Sequence, residues 1–427
     1  MLQDQLFVLD TMNNNLSGQI PASLGKQTDL SILNLRNNSL SGEIPSSLQY
    51  CTELIILDLG YNNFSGTIPE WIGQNLSVLM VLSLRSNAFL GSIPSEIVRL
   101  GYLRILDLSH NSLSGTIPRS IGKFSSTASE KGIPKDYIRY LEDESDEGLM
   151  GSLYFVVKGE TRDYAKLLYL FESIDLSCND LYGEIPDEIR DSQALQNLSF
   201  SMNHLTGHIP DQIGKMHALE SLDVAMNNLS GTIPQSLATL NYLSHLNVSY
   251  NNLSGKIPSG YQLQTLDDPS IYIGNPYLCG PPTTQSCSGN ETTHVVGKKS
   301  HGRFERLGLY VLNTLSTEGI QAFVASGCFE TERNALLAFK ADLIDPRNRL
   351  ASWKSQNCCT WKGVVCSNTS GHILKLNLRN SYDNFDYLYY GKRPSALGGK
   401  ISPSWLLLNH LEHLDLSLNN FSEIRIP

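Results

Sequence analysis

The sequence predicts an α/β solenoid, a stack of short parallel strands each returned by an irregular flank, and three observations predict it. The first is a period. Ile-Pro steps at Ile20-Pro21, Ile44-Pro45, Ile68-Pro69, Ile93-Pro94, Ile117-Pro118, Ile185-Pro186, Ile209-Pro210, Ile233-Pro234 and Ile257-Pro258 lie 24 or 25 residues apart, except for one gap of 68. The second is the motif before and through each step, variants of L-x-x-L-x-L-x-x-N-x-L-S-G-x-I-P. The third is composition: 427 residues, 41% hydrophobic and 17% charged, fit a globular chain of one or two folded units. Together they define a leucine-rich-repeat superhelix, expected right-handed with its parallel strands on the concave face, plus a separate block rich in cysteine.

Each repeat follows from its letters. A strand such as Leu54-Ile55-Ile56-Leu57-Asp58-Leu59 is expected to turn Leu54, Leu57 and Leu59 inward and the residues between toward solvent. One unit cannot bury that face alone, so stability comes from stacking on neighbours. The asparagines that follow (Asn38, Asn62, Asn87, Asn111, Asn179, Asn203, Asn227, Asn251 and Asn419) sit where the chain leaves the strand. An amide there both donates and accepts, so it can satisfy backbone groups that a tight buried turn would orphan. In the return flank Gly relaxes the backbone and Pro fixes φ. These columns are structural and carry no binding role.

Along the chain the order is repeats over 1–121, an insertion over 122–167, four repeats over 168–260, a cap over 261–290, a linker over 291–327, a second cap-like block over 328–372 and two repeats over 373–427. The second block opens with a helix-like segment, Glu332 to Leu343. Cys279 and Cys287 fall in the first cap, while Cys328, Cys358, Cys359 and Cys366 fall in the second. Compact groups at solenoid ends read as disulfide staples and imply an oxidising compartment. Zinc is the competing reading, weakened because the Cys-Cys pair has no partnering His or C-x-x-C. Cys51 is expected to pack as a small apolar residue, and Cys178 to be a free thiol beside a strand end.

A net charge of −10 argues against nucleic acid as the main partner. Eleven Asn-x-Ser/Thr sequons suit a secreted chain, although several arise from the repeat itself; Asn75, Asn197, Asn290 and Asn368 are the glycosylation candidates. No P-loop, HExxH, G-x-S-x-G, dinucleotide or kinase motif occurs. The expectation is a protein that is not an enzyme and uses neither cofactor nor metal.

Three stretches resemble one family. The L-S-G-x-I-P form is the plant-specific leucine-rich repeat. Cys328-Phe-Glu-Thr-Glu-Arg-Asn-Ala-Leu-Leu-Ala-Phe-Lys, Leu350-Ala-Ser-Trp and Cys358-Cys-Thr-Trp-Lys-Gly-Val-Val-Cys366 are similar to the amino-terminal cap of plant leucine-rich-repeat receptors. The insertion, ending in Val156-Val-Lys-Gly-Glu-Thr-Arg-Asp-Tyr164, resembles the island of receptor-like proteins, kinase-less plant immune receptors that include those for fungal resistance and for xylanase elicitors. The resemblance implies the pairings Cys279–Cys287, Cys328–Cys358 and Cys359–Cys366. It also implies an ectodomain on the outer face of the plasma membrane that binds a peptide or protein ligand and recruits adaptor and co-receptor kinases in defence. Positions matching the co-receptor side are Lys158, Gly159 and Tyr164 in the island and Glu220, Asp223, Met226, His245 and Tyr250 in the last repeats. Arg36, Tyr61, Arg85 and His110 would form a ligand-facing ladder. The acidic run Glu142 to Glu147 reads as a solvated stretch of the island. A secreted inhibitor of wall-degrading hydrolases, similar to the polygalacturonase-inhibiting proteins, is the alternative, and the island favours the receptor.

The order of the parts departs from the family, where the cysteine-rich cap comes first and the island last. Met1 begins inside a repeat, no signal peptide is visible, and the stretch 295–327 holds only broken apolar runs, so no transmembrane span is expected. Two explanations follow. One is the joining of the tail of one gene to the head of a neighbour, which would leave a non-functional product. The other is a working circular permutation in which 328–427 folds back on the edge at Met1. A flexible linker of about 40 residues reaches roughly 35 Å and can stretch further, against about 40 Å for nine strands, so reach does not exclude it.

Overall fold

The computed structural model describes residues 6–123, 154–157, 160–163, 171–287, 328–380 and 395–424. Twelve strands form one sheet along the concave face. From one end they run His245–Asn247, Ser221–Asp223, Asn197–Ser199, Ser173–Asp175, Ile105–Asp107, Val81–Ser83, Ile56–Asp58, Ile32–Asn34, Val8–Asp10, His413–Asp415, Ile373–Asn377 and Val364–Cys366. All neighbours are parallel except the last pair. The return flanks are mostly single turns of 3-10 helix that begin after the Ile-Pro step, as at Ala22–Lys26 and Ser46–Tyr50, where Pro supplies the extended φ of the preceding residue.

The leucines pack as the motif requires, with Leu54, Leu57 and Leu59 each 0% exposed. The residues between them do not face solvent as the alternation suggests: Ile55 and Ile56 are 1% exposed and Asp58 0%. In a parallel stack, like residues recur at about 4.8 Å along the sheet and shield one another on two sides. The concave face therefore carries its own covered rows, an apolar one (Val8, Ile32, Ile56, Val81, Ile105) beside a polar one (Asp10, Asn34, Asp58, Ser83, Asp107).

The asparagine column does what its chemistry allows. The Asn62 amide donates to the carbonyls of Leu35, Leu59 and Gly60 at 2.9 to 3.2 Å, and its oxygen accepts from the Leu40 N–H at 3.0 Å. One side chain thus ties two successive repeats. Asn14 and Asn275 hold equivalent places that the motif count misses. The insertion leaves the stack intact: Ile105–Asp107 pairs directly with Ser173–Asp175, and Asn179 donates back to the Leu108 carbonyl at 3.1 Å.

Both ends of the array are capped. Tyr277–Cys279 adds a strand beside Asn252–Lys256, and Cys279–Cys287 closes the turn behind it. At the other end the helix Glu330–Ala341 starts two residues earlier than the sequence suggests and buries Ala335, Leu336 and Phe339, one apolar stripe at helical spacing. Trp353 and Trp361 stack behind it with ring centres 5.3 Å apart, and Cys328–Cys358 and Cys359–Cys366 staple the block.

This block is continuous with the solenoid. His413–Asp415 pairs in parallel with Val8–Asp10, in the same register as Val8–Asp10 with Ile32–Asn34. The Phe7 N–H donates to the Glu412 carbonyl at 2.8 Å, Leu416 to Asp10 at 2.8 Å and Leu418 to Met12 at 2.9 Å. The Asn14 amide donates to the Leu416 carbonyl at 3.0 Å, and its oxygen accepts from the Phe421 N–H at 3.1 Å. Asn38 makes the same bonds across an ordinary repeat boundary, to the Thr11 carbonyl and from the Leu16 N–H. In space the chain is thus permuted, with 328–380 and 395–424 standing before residue 6.

Candidate functional site

The repeats from Leu6 to Asn251, and the one ending at Asn419, leave the strand through a residue with left-handed backbone, one position before the asparagine. Asn13 and Asn37 meet that demand cheaply; Tyr61, His110, Met202, Met226 and Tyr250 meet it with large side chains at φ between 53° and 56°. A left-handed residue other than Gly or Asn costs about 1 kcal/mol or more; Leu418 meets that demand buried, whereas these five do not join the core. They stand outward: Met202 is 51%, Met226 47% and Tyr250 51% exposed. His110 is exposed and Tyr61 half-buried.

Arg36 and Arg85 sit one residue earlier and behave differently. The proposed four-residue ladder is in fact two columns. Arg36 is 6% and Arg85 7% exposed, their guanidinium groups lying across the concave face. Arg36 Nη1 is 3.5 Å from Asp58, and the Tyr61 ring lies 4.5 Å below its guanidinium and 5.9 Å from that of Arg85. Arg85 donates from Nε to the Tyr61 hydroxyl at 3.0 Å, and from Nη1 to Ser109 Oγ at 2.7 Å and Asp175 Oδ2 at 3.1 Å, with Asp107 at 3.6 Å. Asp175 lies beyond the insertion, so Arg85 ties the repeats on its two sides, as does Arg104 with Glu172 at 3.0 Å.

Burial works against the Arg85 charge, yet Asp107, Asp175 and Tyr61 outweigh it and hold its pKa above the ordinary value. Burial and then the charge of Asp175 push Asp107 up to about 6, with Arg85 opposing. His110 is lowered by burial and by Arg85. Asp58, Asp107 and Asp175 were missed from sequence as site residues, although their signal is regular: with Asp223, each stands four residues before the column asparagine. Each also accepts the N–H two residues on, which fixes the carboxylate.

In the last repeats Asp223, Glu220 and His245 are half-buried. Burial raises the Asp223 pKa, with its backbone hydrogen bond and the nearby His245 opposing. Lys158, Gly159, Tyr164, Glu142 to Glu147 and Asn290 lie outside the described residues. The insertion contributes an antiparallel pair, Tyr154–Val157 with Glu160–Asp163. Asn368 is exposed and Asn75 half-buried. Asn197 is unsuited to a glycan, because it is 3% exposed and its amide donates to Ser173 Oγ at 2.9 Å. Cys51 is buried and Cys178 half-buried, both as free thiols. Among the described residues no helix is long and apolar enough to cross a membrane.

The leucine rich repeat N-terminal domain matches residues 329–367, and leucine rich repeat models match 29–51, 53–75, 102–124, 194–216, 218–240, 242–263 and 408–422. Receptor-like protein EIX2 of Solanum lycopersicum is 46% identical over 101 residues, 23% of this chain and 10% of that protein. Receptor-like protein EIX1 of the same plant is 46% identical over 104 residues, again 23% of this chain and 10% of that protein. The matched stretch is thus about a tenth of the length of either relative. Among solved structures, the leucine-rich-repeat ectodomain of the Arabidopsis thaliana receptor kinase GASSHO1/SCHENGEN3, crystallised with CASPARIAN STRIP INTEGRITY FACTOR 2, is 31% identical with a TM-score of 0.48, covering 66% of this chain and 31% of that one.

Proposed function

We propose, from the premise that this chain is a plant leucine-rich-repeat protein of receptor-like type, that it is a non-enzymatic extracellular recognition protein acting in defence at the outer face of the plasma membrane. It binds a peptide or protein ligand along the concave face and engages a co-receptor kinase through its last repeats. The observation that carries this reading is the exposed column. His110, Met202, Met226 and Tyr250 occupy a strained backbone position with exposed side chains, and Tyr61 occupies it half-buried beneath Arg36. Aromatic and methionine side chains are the types enriched where proteins meet.

The Arg36–Tyr61–Arg85 network supports the ligand side as a rigid floor. Its charges are matched in place, so a ligand meets Tyr61 and His110 without first ordering flexible arginines. The test pairs the purified full chain with plant co-receptor kinase ectodomains by surface plasmon resonance, with and without elicitor extract. Met226→Asp combined with Tyr250→Asp is expected to weaken association at least about tenfold while the melting temperature stays unchanged. Equal binding by the double variant overturns the assignment. Capture of a wall-degrading hydrolase with no kinase association supports the inhibitor alternative instead.

A further inference from the structure

Glu332, His372 and His410 form a cluster that neither the repeat nor the receptor reading uses. Glu332 comes from the cap helix, His372 from the residue before the strand Ile373–Asn377, and His410 from the turn before His413–Asp415. Three separate segments therefore converge on one carboxylate, and their ligand atoms lie within 4.8 Å of one another.

The polar bookkeeping of the cluster is incomplete without a cation. The Glu332 side chain is 4% exposed, and its Oε2 accepts the Ile373 N–H at 3.1 Å. Its Oε1 lies 2.9 Å from His372 Nδ1 and 3.9 Å from His410 Nδ1. Among the described residues its ion-pair partners are these two imidazoles, with no lysine or arginine. His410 Nδ1 is itself buried and finds no hydrogen-bond partner. A buried carboxylate needs opposite charge, and a buried ring nitrogen needs a proton acceptor, a donor or a metal.

We infer that Glu332, His372 and His410 form a binding site for a divalent transition-metal ion of the zinc class, which locks the cap helix to the first repeat behind it. Two imidazoles and one carboxylate are a regular ligand set for such an ion, with a fourth position for water. Ligand distances of about 2.0–2.2 Å would draw the donor atoms closer than they stand. The His410 ring supplies that movement. It now stacks on His372 with ring centres 3.7 Å apart, and its side chain is 45% exposed. Turning out of the stack brings its Nδ1 to the ion. Phe329, stacked on the other face of His372 at 4.1 Å, keeps that ring in place.

The test uses the full chain with its disulfides intact, stripped of metal and titrated with zinc chloride against a chromophoric chelator. One zinc per chain is expected. His410→Ala removes a half-exposed ring and leaves the Glu332–His372 bond, and it should weaken uptake at least tenfold with an unchanged circular dichroism spectrum. His217→Ala, at an exposed histidine elsewhere, should leave uptake unaltered. Cobalt(II) substitution should give the visible absorption of a four-coordinate site in wild type and lose it in His372→Ala. No uptake from the chelator, or equal uptake by His410→Ala and wild type, overturns the site. Melting that responds to pH and not to zinc also overturns it, assigning the cluster to a proton.

Discussion

Asp10 lies beside Asp415 across the junction, the two aspartates being partners in register, 3% and 5% exposed. Burial, and then the charge of Asp415, push the Asp10 carboxyl up to about 8 from 3.8, against the Met12 N–H, Arg379 and Asn34. The folded chain therefore holds a proton that the unfolded chain has released across that window, so this residue makes stability fall as pH rises from about 4 to about 8. Asp10→Asn, which keeps the shape and removes the titration, should flatten the decline in melting temperature over that range. An undiminished slope in the variant would place the effect elsewhere. A motif scan sees Asp10 as one more outward strand residue; its charge environment depends on Asp415, far along the chain, and so was not legible. The same limit misjudged Arg85, one of whose partners, Asp175, is 90 residues away beyond the insertion.

At the scale of elements, the repeat strands and their turns were readable because every requirement recurs at fixed spacing: leucines in, asparagine at the exit, Gly and Pro on the return. What spacing could not give was coverage between strands, which is why Ile55 and Ile56 were expected in solvent and are buried. The cap helix was legible to within two residues from its apolar stripe. Its block carries two cross-links. Cys328–Cys358 closes a separation of 30 residues. Cys328→Ser should lower the stability of the cap by about 3–4 kcal/mol on loop-entropy grounds, read as a separate early transition in calorimetry. A single transition at the wild-type temperature would show the block held by its tryptophans and the neighbouring sheet instead.

For the whole molecule, the sequence showed that the parts stand in an unfamiliar order and that a linker could reach, and the structure supplies the register that spacing could not. If the Val8–Asp10 and His413–Asp415 edges hold the two blocks together, covalent continuity between them is dispensable. A protease site placed between 288 and 327 and cut in the folded full chain should leave both pieces eluting together in gel filtration. Leu414→Asp, at a position 0% exposed in the strand at the junction, should release them. Separation of the wild-type pieces would refute the junction.

The junction also has a kinetic consequence. Asn14 reaches the Leu416 carbonyl over 402 residues of chain, whereas Asn38 reaches the Thr11 carbonyl over 27. Repeats on either side can grow from local contacts, but joining the two blocks waits on contacts about 400 residues apart in sequence. Near-identical ladders form early within each block and late between them, so the order of assembly records the connectivity that the finished stack conceals.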